Sequence, residues 1–343
     1  MNALRTTVPA LVTILLSALT PVVAAAPDVG AAAGPLTLWY DEPATDWETR
    51  SLPIGTGALG GGVFGTVAKE RIQLNEKTLW TGGPGSTQGY DFGNWTSPRP
   101  NAIKDAQDRI DRERRVAPSA IASALGQPKQ GFGSYQTFGE LGLTLTTAPS
   151  GVTNYRRDLD IGRAVATVAY DAGGVRYTRE YFASAADKVL VARLSASQSG
   201  KIGFTTAITA PDNRSKRTTA SGGRSTFAGA LNDNGLKFES QLQVVGQGGS
   251  RTDNGDGSVT VANADSAVVV LAMGTNYAAD YPTYRGADPH QRVQSTVDAA
   301  VAKGWNGLLS AHESDYKTLF EKFGVTAEAV VEAARESLKE NNA

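Results

Sequence analysis

Two glutamates stand beside turns where they could do acid–base chemistry. Glu76 closes Gln73-Leu74-Asn75-Glu76, and Glu140 sits within Gln136-Thr137-Phe138-Gly139-Glu140-Leu141. A pair of carboxyls about 5 to 9 Å apart is what cleavage of a bond between sugars usually takes. Side-chain hydrogen bonding within turns explains the same residues equally well, so nothing in the spacing demands that chemistry. The aromatic residues Trp39, Trp47, Trp80, Trp95, Tyr40, Tyr90 and Phe92 concentrate before residue 100, mixed with Asp41, Glu42, Asp46, Asn75, Glu76 and Asn94. Such a mixture suits sugar recognition, since the apolar face of a ring stacks on an aromatic while its hydroxyls need fixed polar partners. Filling the core of a β-domain and capping its ends is the competing use. The candidates for a substrate rim or a domain interface are Asn75, Glu76, Trp80, Tyr90, Trp95, Gln136 and Glu140, none of them assigned a catalytic role.

Other chemistries are poorly supplied. His290 and His312 are the only histidines, both far along the chain from this region, and they read as solvent-facing helix residues rather than parts of a triad or metal site. There is no cysteine, which removes thiolate nucleophiles, thiolate metal sites and disulfides. No metal and no cofactor is expected. Gly55-Thr56-Gly57-Ala58-Leu59-Gly60 fits the G-x-G-x-x-G pattern of dinucleotide sites, but Gly61-Gly62-Val63-Phe64-Gly65 cannot start the helix that pattern requires. The glycines read instead as a close backbone approach on the way into a strand. Val63, Gly65 and Val67 then alternate with Phe64 and Thr66, the chain turns at residues 68–70, and Ile72 and Leu74 return as the second arm of a hairpin. A formal net charge of −1 without basic or acidic runs leaves no footprint for nucleic acid or an anionic membrane, and favours a neutral polar partner.

The elements that would position these residues are mostly strands. Between residues 36 and 273 the dominant pattern is alternation of apolar and polar residues, broken by Gly, Asn and Asp. Leu141, Leu143 and Leu145 make one apolar face, and Ile202, Phe204, Thr206 and Ile208 another. Leu236, Phe238, Leu242 and Val244 alternate with Lys237, Glu239, Gln241 and Gln243. Hairpin turns are marked by Asn234-Gly235, Asp171-Ala172-Gly173-Gly174 and Asn254-Gly255-Asp256-Gly257. The unbroken apolar run at residues 267–273 predicts a central strand. So many short strands predict a mainly β fold, a large two-sheet antiparallel β-sandwich with a helical insertion and a C-terminal helical linker. The insertion covers residues 101–125, with Ile103, Ala106 and Ile110 at helical spacing, a solvated charged face and a break at Pro118. After Pro289, Val293, Val297, Ala300 and Val301 share one helical face, Gly304 is placed as a stop, and Leu308, Leu309, Tyr316, Leu319, Phe320 and Phe323 form a second stripe. A last helical run spans residues 327–338.

Residues 1–25 read as a secretory signal: Arg5 in a positive leader, a short apolar core at residues 11–19, and Val23-Ala24-Ala25 before a cleavage point. The expected location is outside the cell, with no membrane association once the signal is removed. Residues 26–35 read as a flexible lead-in, 36–288 as the β-sandwich domain and 289–343 as a helical linker and tail. Asn94-Trp95-Thr96 and Asn213-Arg214-Ser215 fit the glycosylation pattern.

Several segments together are similar to a known family. These are Leu38-Trp39-Tyr40, Pro53-Ile54-Gly55-Thr56-Gly57-Ala58-Leu59-Gly60, and Gln73-Leu74-Asn75-Glu76-Lys77-Thr78-Leu79-Trp80-Thr81-Gly82-Gly83-Pro84. With them stand Tyr135-Gln136-Thr137-Phe138-Gly139-Glu140-Leu141, Tyr155-Arg156-Arg157-Asp158-Leu159-Asp160 and Arg179-Glu180-Tyr181-Phe182-Ala183-Ser184. Over residues 36–323 the chain resembles the N-terminal domain of glycoside hydrolase family 95. The resemblance implies a large β-sandwich followed by a helical linker and a catalytic (α/α)6 barrel, in exported α-L-fucosidases that invert configuration without a metal. It also implies that the catalytic groups lie on the barrel, so this chain alone is expected to be inactive, as a truncated or split module. Fucosylated or related glycans and an (α/α)6-barrel catalytic chain are the partners implied; the alternatives are a stand-alone carbohydrate-binding protein, or a docking subunit that meets a separate catalytic chain through the helices of residues 290–338.

Overall fold

The computed structural model describes residues 36–87, 97–126, 133–146 and 149–323. The expected signal, the last helical run, Tyr90, Trp95 and the first sequon lie outside the described residues. Among the described residues, sixteen strands numbered along the chain form two antiparallel sheets. In spatial order the first runs Thr37–Tyr40 (β1), Thr153–Asp160 (β6), Val165–Ala172 (β7), Val175–Ser184 (β8), Val189–Ala196 (β9), Ser266–Thr275 (β16), Lys237–Gln247 (β13), Arg224–Leu231 (β12) and Arg214–Ser221 (β11). The second runs Ser250–Asp253 (β14), Val259–Ala264 (β15), Ile202–Thr209 (β10), Gly139–Leu145 (β5), Lys69–Glu76 (β4), Leu59–Val63 (β3) and Leu52–Gly55 (β2).

The alternating positions close the sandwich. Ile72, Leu74, Leu141, Leu143, Phe204 and Ile208 meet Val168, Tyr181, Leu190, Leu242, Val244 and Leu271 in one buried cluster. Residues 267–273 are apolar throughout because β16 is covered on both faces, by the second sheet inside and by a helix outside. That helix, His290–Phe320 (α3), breaks at Gly304 (φ 68°, ψ 171°), where a side chain would be strained. Val293, Val297, Ala300 and Leu308 of α3 pack on Phe182, Val189, Val191, Val270 and Ala272 of the first sheet. The apolar face of this helix is used within the molecule as far as Leu308 and Leu309, while Leu319 of the expected second stripe is exposed.

Three expectations need correction. The glycine run does not lead into a strand at residues 63–67: Gly60, Gly61 and Gly62 are themselves in β3, paired with Asn75, Leu74 and Gln73. A Cβ on Gly61 would stand 2.8 Å from Leu190 Cδ1 and 3.0 Å from Ile72 Cγ2, so the facing sheet needs the missing side chain. Residues 55–60 form a strand-to-strand turn, with no helix after them. Second, Glu239 and Gln241 do not face water. Both are buried beneath the start of α3, with Gln241 Nε2 donating to Glu239 Oε1 at 2.7 Å and His290 Nδ1 2.9 Å from the same oxygen. Third, His312 is buried, stacked on Phe182 with 4.7 Å between ring centres. Its Nε2 lies 3.0 Å from the Arg163 carbonyl, and burial pulls its pKa below the ordinary value despite carbonyl hydrogen bonds that oppose this.

The insertion folds as Ala102–Glu113 (α1) and Pro118–Leu125 (α2), with Pro118 in the first turn of α2. Ala106 is buried, while Ile103 and Ile110 of the same stripe are exposed. Among the described residues no helix is long and apolar enough to cross a membrane.

Candidate functional site

Strand β4 decides the fate of the proposed carboxyl pair. Its residues Glu70, Ile72, Leu74 and Glu76 point inward, while Lys69, Arg71 and Asn75 point out. Glu140 of β5 lies directly opposite Gln73, hence on the outward face. There it clamps Arg71, whose Nε donates to Glu140 Oε2 at 3.0 Å. Glu76 and Glu140 thus occupy opposite faces of one sheet and cannot flank a common bond.

Glu76 opens a cluster of loops at one end of the sandwich. Its Oε2 accepts the Thr78 N–H at 2.9 Å and the Thr78 hydroxyl at 2.7 Å. Since that proton is committed, Thr275 at the end of β16 donates to Thr78 Oγ1 over 2.5 Å, joining the two sheets. Arg292 of α3 in turn donates to the Thr275 carbonyl at 2.8 Å. Burial raises the Glu76 carboxyl above the ordinary glutamate value, with the Thr78 hydrogen bonds, Arg292 and Lys77 pulling against it. The Tyr135 phenol is pushed up to about 12 by burial and then by Glu76, with Arg214 opposing.

Beyond Glu76 the chain makes a short ladder with residues 134–136. Gln136 N–H donates to the Leu79 carbonyl at 2.9 Å and Thr81 N–H to the Ser134 carbonyl at 3.0 Å. This sets Trp80 edge-to-face on Tyr135, 6.1 Å between ring centres, with the indole N–H tied to the Lys77 carbonyl at 2.9 Å. The Gln136 side chain accepts from Asn213 Nδ2 at 2.6 Å. The β12–β13 turn holds the other side of the loop. Asn234 Nδ2 donates to the carbonyls of Trp80 (2.9 Å) and Gly82 (2.6 Å), and Asp233 accepts the Gly82 N–H (2.6 Å) and the Ser86 hydroxyl (2.8 Å). Burial would raise the Asp233 carboxyl, but these donors and those of Thr87 outweigh it and hold it below the usual range.

Residues 275–286 complete the end. Arg285 donates from Nη2 to the carbonyls of Asn234 (3.1 Å) and Pro84 (3.3 Å), and from Nη1 to that of Tyr284 (3.1 Å). Tyr277 pairs with Arg285 across a single bridge. Between these loops opens a cleft of about 460 Å³, walled by Trp80, Gly83, Asn234, Tyr277, Tyr284 and Arg285 among others. Its size and mixed aromatic and polar wall suit a small hydroxylated ligand.

Of the sequence candidates, Glu76, Trp80 and Gln136 come together at this end, while Asn75 and Glu140 lie on the outer face of the second sheet. Trp39, Trp47 and Trp80 are 50%, 53% and 47% exposed, so the core-filling use does not apply to them. Asn234 was legible only as a turn residue. Tyr277, Tyr284 and Arg285 carried no local signal at all, because about 200 residues separate them from Trp80. Among the described residues no group of three or more His, Asp or Glu is placed to hold a metal ion.

The model for the family described as "Glycosyl hydrolase family 65, N-terminal domain" matches residues 38–280. The chain belongs to this family. It is 30% identical over 315 residues to "Alpha-L-fucosidase 2" of Arabidopsis thaliana, covering 84% of this chain and 36% of that protein. It is 29% identical to "Probable alpha-fucosidase A" of Aspergillus niger and 24% identical to the protein of that name from Aspergillus oryzae, again over 84% of this chain and over 38% and 40% of theirs. The chain thus spans well under half the length of these relatives. It is an N-terminal domain of glycosyl-hydrolase-like, fucosidase-like proteins, and the resemblance read from its motifs holds at that level.

Proposed function

We propose that this chain supplies the β-sandwich module of an exported α-L-fucosidase-like glycoside hydrolase of the family 95 type, and that bond cleavage belongs to an (α/α)6 barrel which the module buttresses. The reading is carried by the relatives named as α-L-fucosidases and α-fucosidases, matched over most of this chain and a minor part of theirs. The geometry of β4 and β5 supports it, since two carboxylates on opposite faces of a sheet cannot serve as acid and base for one glycosidic bond. The loop end around Trp80 is then a rim for the substrate or a seat for the barrel. Incubation of the purified chain with an aryl α-L-fucoside is expected to release no phenol; turnover that disappears in Glu76→Gln would overturn the assignment.

The half-exposed aromatics around the cleft favour a second reading, in which the module itself binds glycan. Calorimetric titration with fucosylated oligosaccharides is expected to show binding that Trp80→Ala weakens about tenfold or more while the melting temperature stays put. A flat titration with the folded protein argues against it.

A further inference from the structure

The cleft has an asymmetry of charge. Among the described residues its wall contains Arg285 and Lys77 but no aspartate or glutamate. The two acids nearest in the chain are otherwise engaged: Asp233 holds the Gly82 loop, and Glu76 lies behind Thr78 with Arg292 and Lys77 acting on it. Arg285 forms no ion pair with the described residues, and its three hydrogen bonds all go to backbone carbonyls of Pro84, Asn234 and Tyr284. Those carbonyls fix the guanidinium and stiffen the loops without cancelling its charge. Burial pulls its pKa down, with no carboxylate acting to raise it. The Arg285 Nε–H has no partner among the described residues, yet it is not among the atoms sealed from solvent. A guanidinium immobilised on carbonyls, uncompensated, and keeping an accessible N–H is pre-organised to receive an oxyanion.

The same wall carries Trp80, Tyr277 and Tyr284, faces suited to the C–H side of a sugar ring. We infer that the cleft binds a saccharide bearing an oxyanion, a uronate carboxylate or a sulfate ester, with Arg285 as the anchor for the charge and Trp80 as a stacking platform. This rests on the glycan-binding reading and goes beyond it by naming the ligand class. Lys77, on the exposed side, adds long-range attraction without directional contact.

The test is calorimetry on the full chain with three ligands of one length: an oligogalacturonide, its fully methyl-esterified form, and a sulfated galacto-oligosaccharide. A neutral fucosylated oligosaccharide is titrated alongside. The acid or the sulfate is expected to bind at least tenfold more tightly than the neutral ester, with the ratio shrinking as salt rises. Whichever anion wins identifies its source. Arg285→Gln should bring the anion down to the level of the ester. Because that change also removes loop contacts, Lys77→Gln serves as the second variant, with a loss of about two- to threefold that vanishes at high salt. Acid and sulfate both binding no more tightly than the neutral ester overturns the proposal, as does anion binding unchanged in a folded Arg285→Gln. If no galacto-ligand binds, the proposal also fails, and the fucosylated titration then shows whether glycan binding itself survives.

Discussion

The two ends of β4 each bury a glutamate, and they treat it in opposite ways. Glu70 at the start is sealed between the sheets. It accepts from Gly65 N–H (2.8 Å) and Arg71 N–H (3.0 Å), and from Arg179 Nη1 and the Tyr181 hydroxyl (both 3.1 Å). Arg179 also reaches the carbonyls of Thr66 and Val67, so acid, base and loop close on one another. Burial pushes the Glu70 carboxyl up, and the guanidinium, the amides and the phenol pull it back. At the far end, Glu76 meets a threonine instead of a guanidinium, while the nearby cleft, among the described residues, holds a guanidinium without an acid. One end is internally neutralised and shut. The other keeps its charges apart among half-exposed aromatics, which is what leaves it free to meet something from outside.

Substitutions can break this contrast. The largest effect is expected from Glu70→Gln, which strands the Arg179 charge in the core and should cost about 3–5 kcal/mol in chemical denaturation. A loss of less than about 1 kcal/mol would mean that the closed end does not depend on its ion pair. Asp233→Ala releases the Gly82 N–H and two hydroxyls, and is expected to cost about 1–2 kcal/mol and to expose the loop at residues 82–87 to proteolysis. Unchanged cleavage there would show that the other contacts of the loop, those of Asn234 and Arg285 among them, hold it without the Asp233 carboxylate.

The smallest effect is expected from Glu76→Gln, since the amide oxygen can still accept from Thr78; stability near neutral pH should stay within about 1 kcal/mol of the parent. Its informative readout is pH dependence. The folded carboxyl keeps its proton to a higher pH than the unfolded one, so its contribution is fully present below the ordinary glutamate value of 4.5 and is lost as pH rises through the folded value. Glu76→Gln should flatten that fall, and an identical pH profile would contradict a raised carboxyl.

The layered fold was readable because strand periodicity is local. Leu141 and Leu143, Ile202 through Ile208, and the three turn signals all stand where alternation placed them. The glycine run misled because Gly61 is required by contact with Leu190, about 130 residues away, and no local pattern reports that. Glu239, Gln241 and His312 misled for the same reason: a polar residue in an amphipathic pattern reads as wet, while the cover over it comes from a distant element. Trp80 could be picked out beside its turn. Its neighbours in the cleft, Asn234, Tyr277 and Arg285, could not, since they stand on loops far along the chain from it.

The family match stops at residue 280, ten residues before α3 begins. Burial draws a different border. Phe182, Val191 and Val270 on the outer face of the first sheet are covered by α3, so a fragment trimmed at the homology limit would present a greasy plate to its neighbours and clump. Anyone excising this module should carry the cut past Phe323, and should read Gly304 as the joint between the two helical stretches that make up the cover.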